Sequence, residues 1–371
     1  MGEYYLGLMS GTSQDGVDAA LVKLDDRDSK IHRTSTTPYP DTLRGRIEAL
    51  LATPEVSLEE LGGLDVAIAR FFAHCVARLL SESGLKAGQV AAIGHSGHTV
   101  FHRPAGPEPF SMQLGDPSTV AARTGITTVG HLRQMDVALG GQGAPLAPAF
   151  HRWAFADPRE RRVVVNIGGI ANVSILDPDR ALSGFDTGPG NTLLDRWTRR
   201  CTGRPYDHDG DWSRTGTVHD GLLDELLADP FFRRPPPKST GLEHFNLDWL
   251  QAALGRTAQQ LGEADVQATL TELTAVTIAM AIRDAGSRPE RVIVCGGGAR
   301  NGALRQRLAD HLGRIPLESS TRHGIEPEWV EAVLFAWLAR ARLNDEPGNA
   351  PSVTGASRPA TLGGVYYGVR R

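Results

Sequence analysis

The sequence is poor in cysteine and aromatics and has no long apolar run. Its 371 residues include three cysteines, Cys75, Cys201 and Cys295, far apart and without a CxxC pair. That argues against a disulfide scaffold or a zinc ribbon, and the three read as small buried apolar residues. Aromatics make up 6 % of the chain. The longest mostly apolar stretch, Ala275 to Ile282, stops at Arg283, far short of the ~20 residues a membrane-spanning helix needs. Net charge is -4, which gives no whole-protein footprint for nucleic acid. The first residues carry Glu3 and Asp15 and show neither a basic n-region nor an apolar h-region, so the expectation is a cytoplasmic protein.

Several nucleotide signatures are missing as well. No G-x-x-x-x-G-K-[ST] occurs, which removes a P-loop reading. No G-x-G-x-x-G opens a helix after the first strand with an acid about 20 positions on, which removes a simple Rossmann reading. The protein-kinase set is also absent.

Glycine is what the chain has in abundance, at 42 residues. Tyr4 to Met9 and Val17 to Leu24 read as strands around the turn Ser10 to Gly16. Arg162 to Ile167 and Val173 to Leu176 repeat the plan around Gly168 to Asn172. Arg291 to Cys295 is a third apolar strand and runs into Gly296-Gly297-Gly298-Ala299-Arg300-Asn301-Gly302. Exposed N–H groups in such turns can cradle phosphate oxygens, and glycine lets the backbone come close. Helical spacing covers Leu58 to Ser83, Asn191 to Arg200, Val266 to Ala285, Ala303 to Leu312 and Glu328 to Leu343. Gln89 to Gly94 reads as a buried strand leading to His95 and His98. The prolines of Arg233 to Gly241 require a loop, and Asn344 to Pro359 reads as a mobile surface loop. The run Asp207 to Asp211 lacks the ligand spacing of a calcium loop and reads as a solvated acidic loop.

This repetition predicts an α/β fold of two similar halves. Two hairpin tips and a Gly-rich strand–helix turn form the phosphate-site plan of the sugar kinase/Hsp70/actin superfamily. Within it, Gly7-Leu8-Met9-Ser10-Gly11-Thr12-Ser13-Gln14-Asp15-Gly16-Val17-Asp18 closely resembles the opening signature of the anhydro-N-acetylmuramic acid kinase family. The resemblance continues, in the family's order, through Gln113 to Asp116, Arg133 to Asp136, Gly140 to Leu146, Asn166 to Asn172, Gly184 to Asn191, Pro236 to Gly241 and Gly296 to Asn301, and ends at Glu331-Ala332. Leu242 and Leu132 depart from it, standing where the family usually has Arg and Phe. Met9 stands where the wider superfamily has an Asp that works through magnesium.

The resemblance implies duplicated ribonuclease H-like (actin-like ATPase) domains, 1–157 and 158–371, with a cleft between them and the last helix packing back on the first half. It implies ATP, with magnesium, as cofactors, a small sugar as substrate, and neither nucleic acid nor membrane as partner; a homodimer is compatible with it. Asp186 falls on the family's catalytic carboxylate, and its alternative reading is an N-cap. Glu331 falls on a second acid, with a solvated helical Glu as the alternative. Gly11, Thr12, Ser13, Gln14, Asp15, Gly16, Val17 and Asp18 would hold the β/γ-phosphates, although Asp18 reads equally as a turn residue. Gly168 and Gly169 would make the second phosphate contact. Gly296, Gly297 and Gly298 with Asn301 would lie under the adenosine. Arg133, Asp136, Lys238 and His98 are the sugar candidates; Lys238 could instead fix its loop, and His98 could be a satisfied loop histidine. Two other functions remain open: a conventional sugar or amino-sugar kinase acting on a free hydroxyl, and a non-enzymatic ATP-binding switch on the same fold.

Overall fold

A computed structural model describes residues 2–11, 16–26, 28–53, 55–257, 261–286 and 288–369. In chain order its strands are β1 (Glu3–Ser10), β2 (Gly16–Leu24), β3 (Ser29–Pro38), β4 (Val90–His95), β5 (His98–Arg103), β6 (Phe110–Leu114), β7 (Thr128–Gly130), β8 (Arg162–Ile167), β9 (Ile170–Leu176), β10 (Ser183–Pro189), β11 (Arg291–Cys295), β12 (Leu317–Ser319) and β13 (Gly364–Tyr366). The chain divides into two compact units. One is Met1–Ala154 with Trp329–Arg371, and the other is Phe155–Glu328. The second unit thus begins three residues before the boundary expected from sequence, and everything from Trp329 onward groups with the first.

Each unit is built on one large sheet, the first also carrying the two-stranded ribbon β5-β6, and the two large sheets share a plan. In the first unit the order is β13-β7-β4-β1-β2-β3; in the second it is β10-β9-β8-β11-β12. In both, the first three strands form an antiparallel meander, and the next strand returns parallel to the first. This is the duplicated ribonuclease H-like plan.

Local sequence explains why these segments adopt these forms. β8 is a continuous Val run because both faces of a central strand are covered; Val163, Val164 and Val165 are fully buried. The helix Leu58–Ser83 starts where Ser57 Oγ accepts the N–H of Glu60 at 3.1 Å and stops at Gly84 with φ 73, the serine N-cap and left-handed glycine end that helices favour. The helix Val330–Leu343 is buried along most of its length and packs on β1 and β4. It lies so close that a Cβ at Gly7 would overlap the carbonyl oxygen of Ala332, and one at Gly94 that of Phe335. Those two glycines therefore set the helix-to-sheet spacing.

Three local expectations are corrected. The turn read as Gly168 to Asn172 is only Gly168-Gly169, because β9 already begins at Ile170 and Ile167 pairs with Ala171. The stretch 344–359 is no mobile surface loop. Asn349, Ala350, Val353 and Thr354 are buried, and Pro351–Thr354 is helical. The Asp207 run is not simply solvated: Asp207 is buried and accepts the N–H groups of Trp212 and Ser213 at 2.8 and 2.9 Å, while Asp209 accepts that of Gly302 at 2.8 Å. These carboxylates are spent on ordering backbone. Among the described residues, no helix is long and apolar enough to cross a membrane.

Candidate functional site

In the second unit the site grows from the end of β10. The pairing with β9 slips between Asp186 and Gly188. Gly188 takes φ 144, and a Cβ there would lie 2.7 Å from the Phe232 ring. Freed from the regular ladder, Asp186 is held by the Pro-rich loop instead. Its N–H donates to the Lys238 carbonyl at 3.1 Å, and its Oδ2 accepts the N–H of Thr240 at 3.0 Å. No hydrogen bond from the described residues reaches Oδ1. Burial pushes the Asp186 carboxyl up to about 6, against the opposing pull of the Thr240 N–H. Such a group is ionised at neutral pH and still basic enough to take a proton. Asp186 caps no helix: the helix Asn191–Thr202 has Gly190 at its N-cap position.

Lys238 anchors this loop. Its Nζ donates to the carbonyls of Phe231 and Phe232, both at 3.2 Å, and sits 4.8 Å from the centroid of the Phe231 ring. Two of its three donors are thereby committed. Leu242 lies close to the second hairpin tip; a Cβ at Gly169 would be 3.4 Å from its Cδ2.

Two of the three glycine turns meet around that tip. The Gly168 carbonyl accepts the N–H of Asn191, and the Gly169 carbonyl those of Gly190 and Thr192, at 2.8 to 3.2 Å. The hairpin therefore satisfies N–H groups that a helix start would otherwise leave orphaned. Gly296 takes φ 79; a side chain there would overlap Asn166 Oδ1, and one at Gly298 would overlap Ile167. Gly297 is exposed. Asn301 caps the helix Gly302–Leu312, its Oδ1 accepting the N–H of Leu304 at 3.0 Å.

The first unit carries the other candidates. Gly11 is half-buried at the end of β1, and Thr12, Ser13, Gln14 and Asp15 lie outside the described residues. Gly16 lies against β3, where a Cβ would overlap the Thr37 carbonyl. The Val17 side chain is fully buried in the core, which leaves only its backbone to face a ligand. Asp18 Oδ1 accepts the Thr36 hydroxyl at 2.6 Å. Glu331 stands in the first turn of the helix Val330–Leu343, reached by water but with protein close on its other sides. Desolvation by the surrounding protein, joined by the charge of Asp18, pushes its carboxyl above the usual range, and Arg133 opposes that shift. Arg133 donates one N–H to the Gly143 carbonyl at 2.8 Å.

Asp136 is not placed to touch a ligand. It is fully buried and accepts from Gly143 N, Asn349 Nδ2 and Thr354 Oγ1, all at 2.7 Å. It shapes the loop that Arg133 also grips. His98 is buried beside Ser10, its Nδ1 2.8 Å from Ser10 Oγ, which lies 2.7 Å from the Tyr39 hydroxyl; burial pushes the imidazole down to about 4. His98 is therefore neutral at physiological pH. Among the described residues its Nε2 is buried without a partner. Sequence reasoning missed the groups that hold these candidates: Thr240 and Lys238's carbonyl on Asp186, Thr36 on Asp18, and, around Ser10, Tyr39 and Ser96, whose Oγ accepts the Ser10 N–H at 2.9 Å. Thr240 and Lys238 sit inside a quoted motif, but no spacing marks the others.

The family model for anhydro-N-acetylmuramic acid kinase matches residues 3–368. An anhydro-N-acetylmuramic acid kinase from Saccharophagus degradans is 47 % identical over 365 residues, covering 98 % of each chain. One from Coxiella burnetii is 46 % identical over 368 residues, covering 99 % of this chain and 98 % of that one. A solved structure of the activator of the 2-hydroxyisocaproyl-CoA dehydratase from Clostridium difficile, with bound ADPNP, overlays only loosely. It covers 90 % of this chain and 92 % of that one at 12 % identity and a TM-score of 0.44, a likeness that carries no inference.

Proposed function

The chain belongs to the anhydro-N-acetylmuramic acid kinase family, and on that premise we propose how its residues serve the reaction. The enzyme is a kinase that acts on a small sugar with ATP. It opens the 1,6-anhydro ring of 1,6-anhydro-N-acetylmuramic acid and phosphorylates O6, giving N-acetylmuramic acid 6-phosphate and ADP. This is a step of peptidoglycan recycling in the cytoplasm.

The observation that carries the mechanism is the state of Asp186. One oxygen is fixed by Thr240 N–H, the other is left without a described partner, and burial holds the carboxyl near 6. That is a suitable general base at neutral pH. A water adds at C1 and loses its proton to Asp186. The C1–O6 bond breaks, and O6 takes the γ-phosphoryl group as ADP leaves. The transfer itself then rests on positioning and electrostatics. Arg133, with one N–H on Gly143 and the rest of its fork uncommitted to that bond, suits the lactyl carboxylate. Glu331 sits where Arg133 and Asp18 both bear on its charge and would meet the sugar from the first unit. Neutral His98 would stand behind the sugar site, and Lys238 would serve through the loop it anchors.

Backbone N–H groups from Gly11 to Asp18 would hold the β/γ-phosphates, with Gly168 and Gly169 as the second phosphate contact. Gly296 to Gly298 and Asn301 would support the adenosine, and the positive φ of Gly296 and exposure of Gly297 fit a surface that a ligand approaches closely. Magnesium would neutralise phosphate charge. Among the described residues no group of three or more His, Cys, Asp or Glu could hold an ion by itself, so its ligands would come mainly from phosphate and water, with Asp15 or Asp18 in support. A homodimer is compatible with this reading, and light scattering reads it directly.

The test uses ¹⁸O-labelled water with the wild type and Asp186→Asn. The wild type should place the label at C1 and none in the phosphate ester. The variant should keep ATP and sugar binding while losing roughly 10²–10⁴-fold in kcat. If the wild type phosphorylates N-acetylmuramic acid, the opened sugar, as well as the anhydro form, and Asp186→Asn fails on both, the base acts on a hydroxyl and the ring-opening mechanism is wrong.

A further inference from the structure

Asp186 depends on a loop that has no sheet partner of its own. The segment from Lys238 to Thr240 follows three prolines, yet it supplies both the carbonyl that takes the Asp186 N–H and the N–H that takes its Oδ2. Something must hold Thr240 in place, because a carboxylate misplaced by about 1 Å costs on the order of 10²-fold in rate.

The structure shows what does. Thr240 Oγ1 lies 3.3 Å from His244 Nδ1, and His244 Nε2 lies 2.9 Å from Asp229 Oδ2. That same oxygen accepts Trp249 Nε1–H at 2.9 Å, and Asp229 Oδ1 accepts the Phe231 N–H at 2.9 Å. His244 is clamped in orientation by stacking on Phe245, with centroids 4.2 Å apart and planes 10° from parallel, and Phe245 is fully buried. The chemistry runs in one direction. A carboxylate can only accept, so Asp229 places the imidazole proton on Nε2. In the neutral imidazole the lone pair on Nδ1 then accepts the Thr240 hydroxyl, and the Thr240 backbone N–H goes to Asp186. Charged groups bearing on this chain include Asp229 at the start of the helix Pro230–Arg233, Lys238 in the loop with Arg234 and Asp284 acting on its charge, and Asp186 on β10.

We infer that Asp229, His244 and Thr240 form a positioning relay for Asp186, with His244 in the Nε2–H tautomer as its central member. The inference rests on the reading of Asp186 as the general base. His244 touches no reacting atom; it sets the distance and the proton affinity of the group that does. Asp229 stays satisfied without it, because Trp249 and Phe231 still donate to its two oxygens. The link can therefore be cut without leaving a buried charge bare.

His244→Phe keeps the ring stacked on Phe245 and removes both nitrogens. With ATP and the anhydro sugar, its kcat should fall roughly 10–10²-fold with the KM for ATP unchanged. The acidic limb of kcat/KM should move to higher pH, because the Thr240 N–H that lowers the Asp186 pKa is no longer held. His244→Asn, whose amide oxygen can stand in for Nδ1, should recover part of both. Thr240→Val should reproduce the shift, and combining it with His244→Phe should add little, as expected for residues acting as one unit. Circular dichroism checks each fold, and if His244→Phe does not fold, Thr240→Val carries the same test. A folded variant with wild-type kcat and an unmoved acidic limb overturns the relay. Asp186→Asn, run alongside, separates the two ideas: if it stays active, the base reading falls and the relay with it; if it is dead while His244→Phe and Thr240→Val behave as wild type, only the relay falls.

Discussion

One register step below each hairpin's last pair, the two sheets carry a row of three residues across their first three strands. In the first unit the row is Met9, Asp18 and Thr36; in the second it is Asn166, Asn172 and Asp186. The positions correspond, but the carboxylate has moved from the middle strand to the third. On the middle strand, Asp18 finds a donor beside it, the Thr36 hydroxyl at 2.6 Å; cross-strand neighbours on one face meet in this way. On the third strand, at the sheet edge, the ladder breaks at Gly188 and Asp186 must recruit a partner from outside the sheet. The Thr240 N–H pulls the carboxyl down while burial pushes it up, and burial wins. One plan thus yields a carboxylate tied into its sheet and another raised toward neutrality with an oxygen to spare.

The strongest challenge to that contrast is kinetic. Asp18→Asn should lower kcat by about tenfold or less, set against the roughly 10²–10⁴-fold expected when a general base is lost at Asp186. Steady-state rates with saturating ATP measure both. Equal losses would mean that strand position does not distinguish the two acids.

A second contrast is thermodynamic, and its two halves have opposite sign. Asp186 has a folded pKa of about 6, above its ordinary value. Its ionisation costs nothing below pH ~4, and the cost grows as pH rises through about 6, to on the order of 3 kcal/mol. His95 and His98 are pushed down by burial to about 3 and about 4. The unfolded chain takes up their protons near pH 6.5, so stability is lost as pH falls from there toward 4, by up to about 3 kcal/mol each. Thermal melts should therefore show Asp186→Asn more stable than wild type at pH 7.5, with the gap closing by pH 4. His98→Gln should blunt the acid loss. A gap that stays constant with pH would mean that Asp186 is not desolvated in the folded protein.

The smallest expected effect sharpens the role of the sheet itself. Thr36→Val removes the donor to Asp18 and should cost about 1 kcal/mol of stability with kcat nearly unchanged. Urea unfolding measures it. A large loss of kcat would move Asp18 into the catalytic machinery and erase the difference between the rows.

Much of the fold was legible in the residues. The Val run of β8, the apolar stripe of Leu58–Ser83 and the glycines beyond β1, β8 and β11 announce strand, helix and turn by local pattern. β3 was not legible: Ser29 to Pro38 is polar and partly exposed at a sheet edge, so no apolar alternation marks it. The stretch 344–359 misled because glycine and proline signal a turn whether it is exposed or packed. Asp136 misled for a related reason. The resemblance makes it a sugar candidate with Arg133, but its partners Asn349 and Thr354 lie 213 and 218 positions away.

What the sequence by itself determined is the repeated hairpin plan and the family, and it singled out Asp186 as the candidate base, because periodicity, turn chemistry and motifs are written in contiguous residues. Only the tertiary structure decided that two glycine turns converge on Asn166, Ile167 and Asn191, that Thr240 caps Asp186 from 54 positions away, and that Asp136 is spent inside the protein. Desolvation and hydrogen-bond partnership depend on which distant segments pack together, and no local pattern records that.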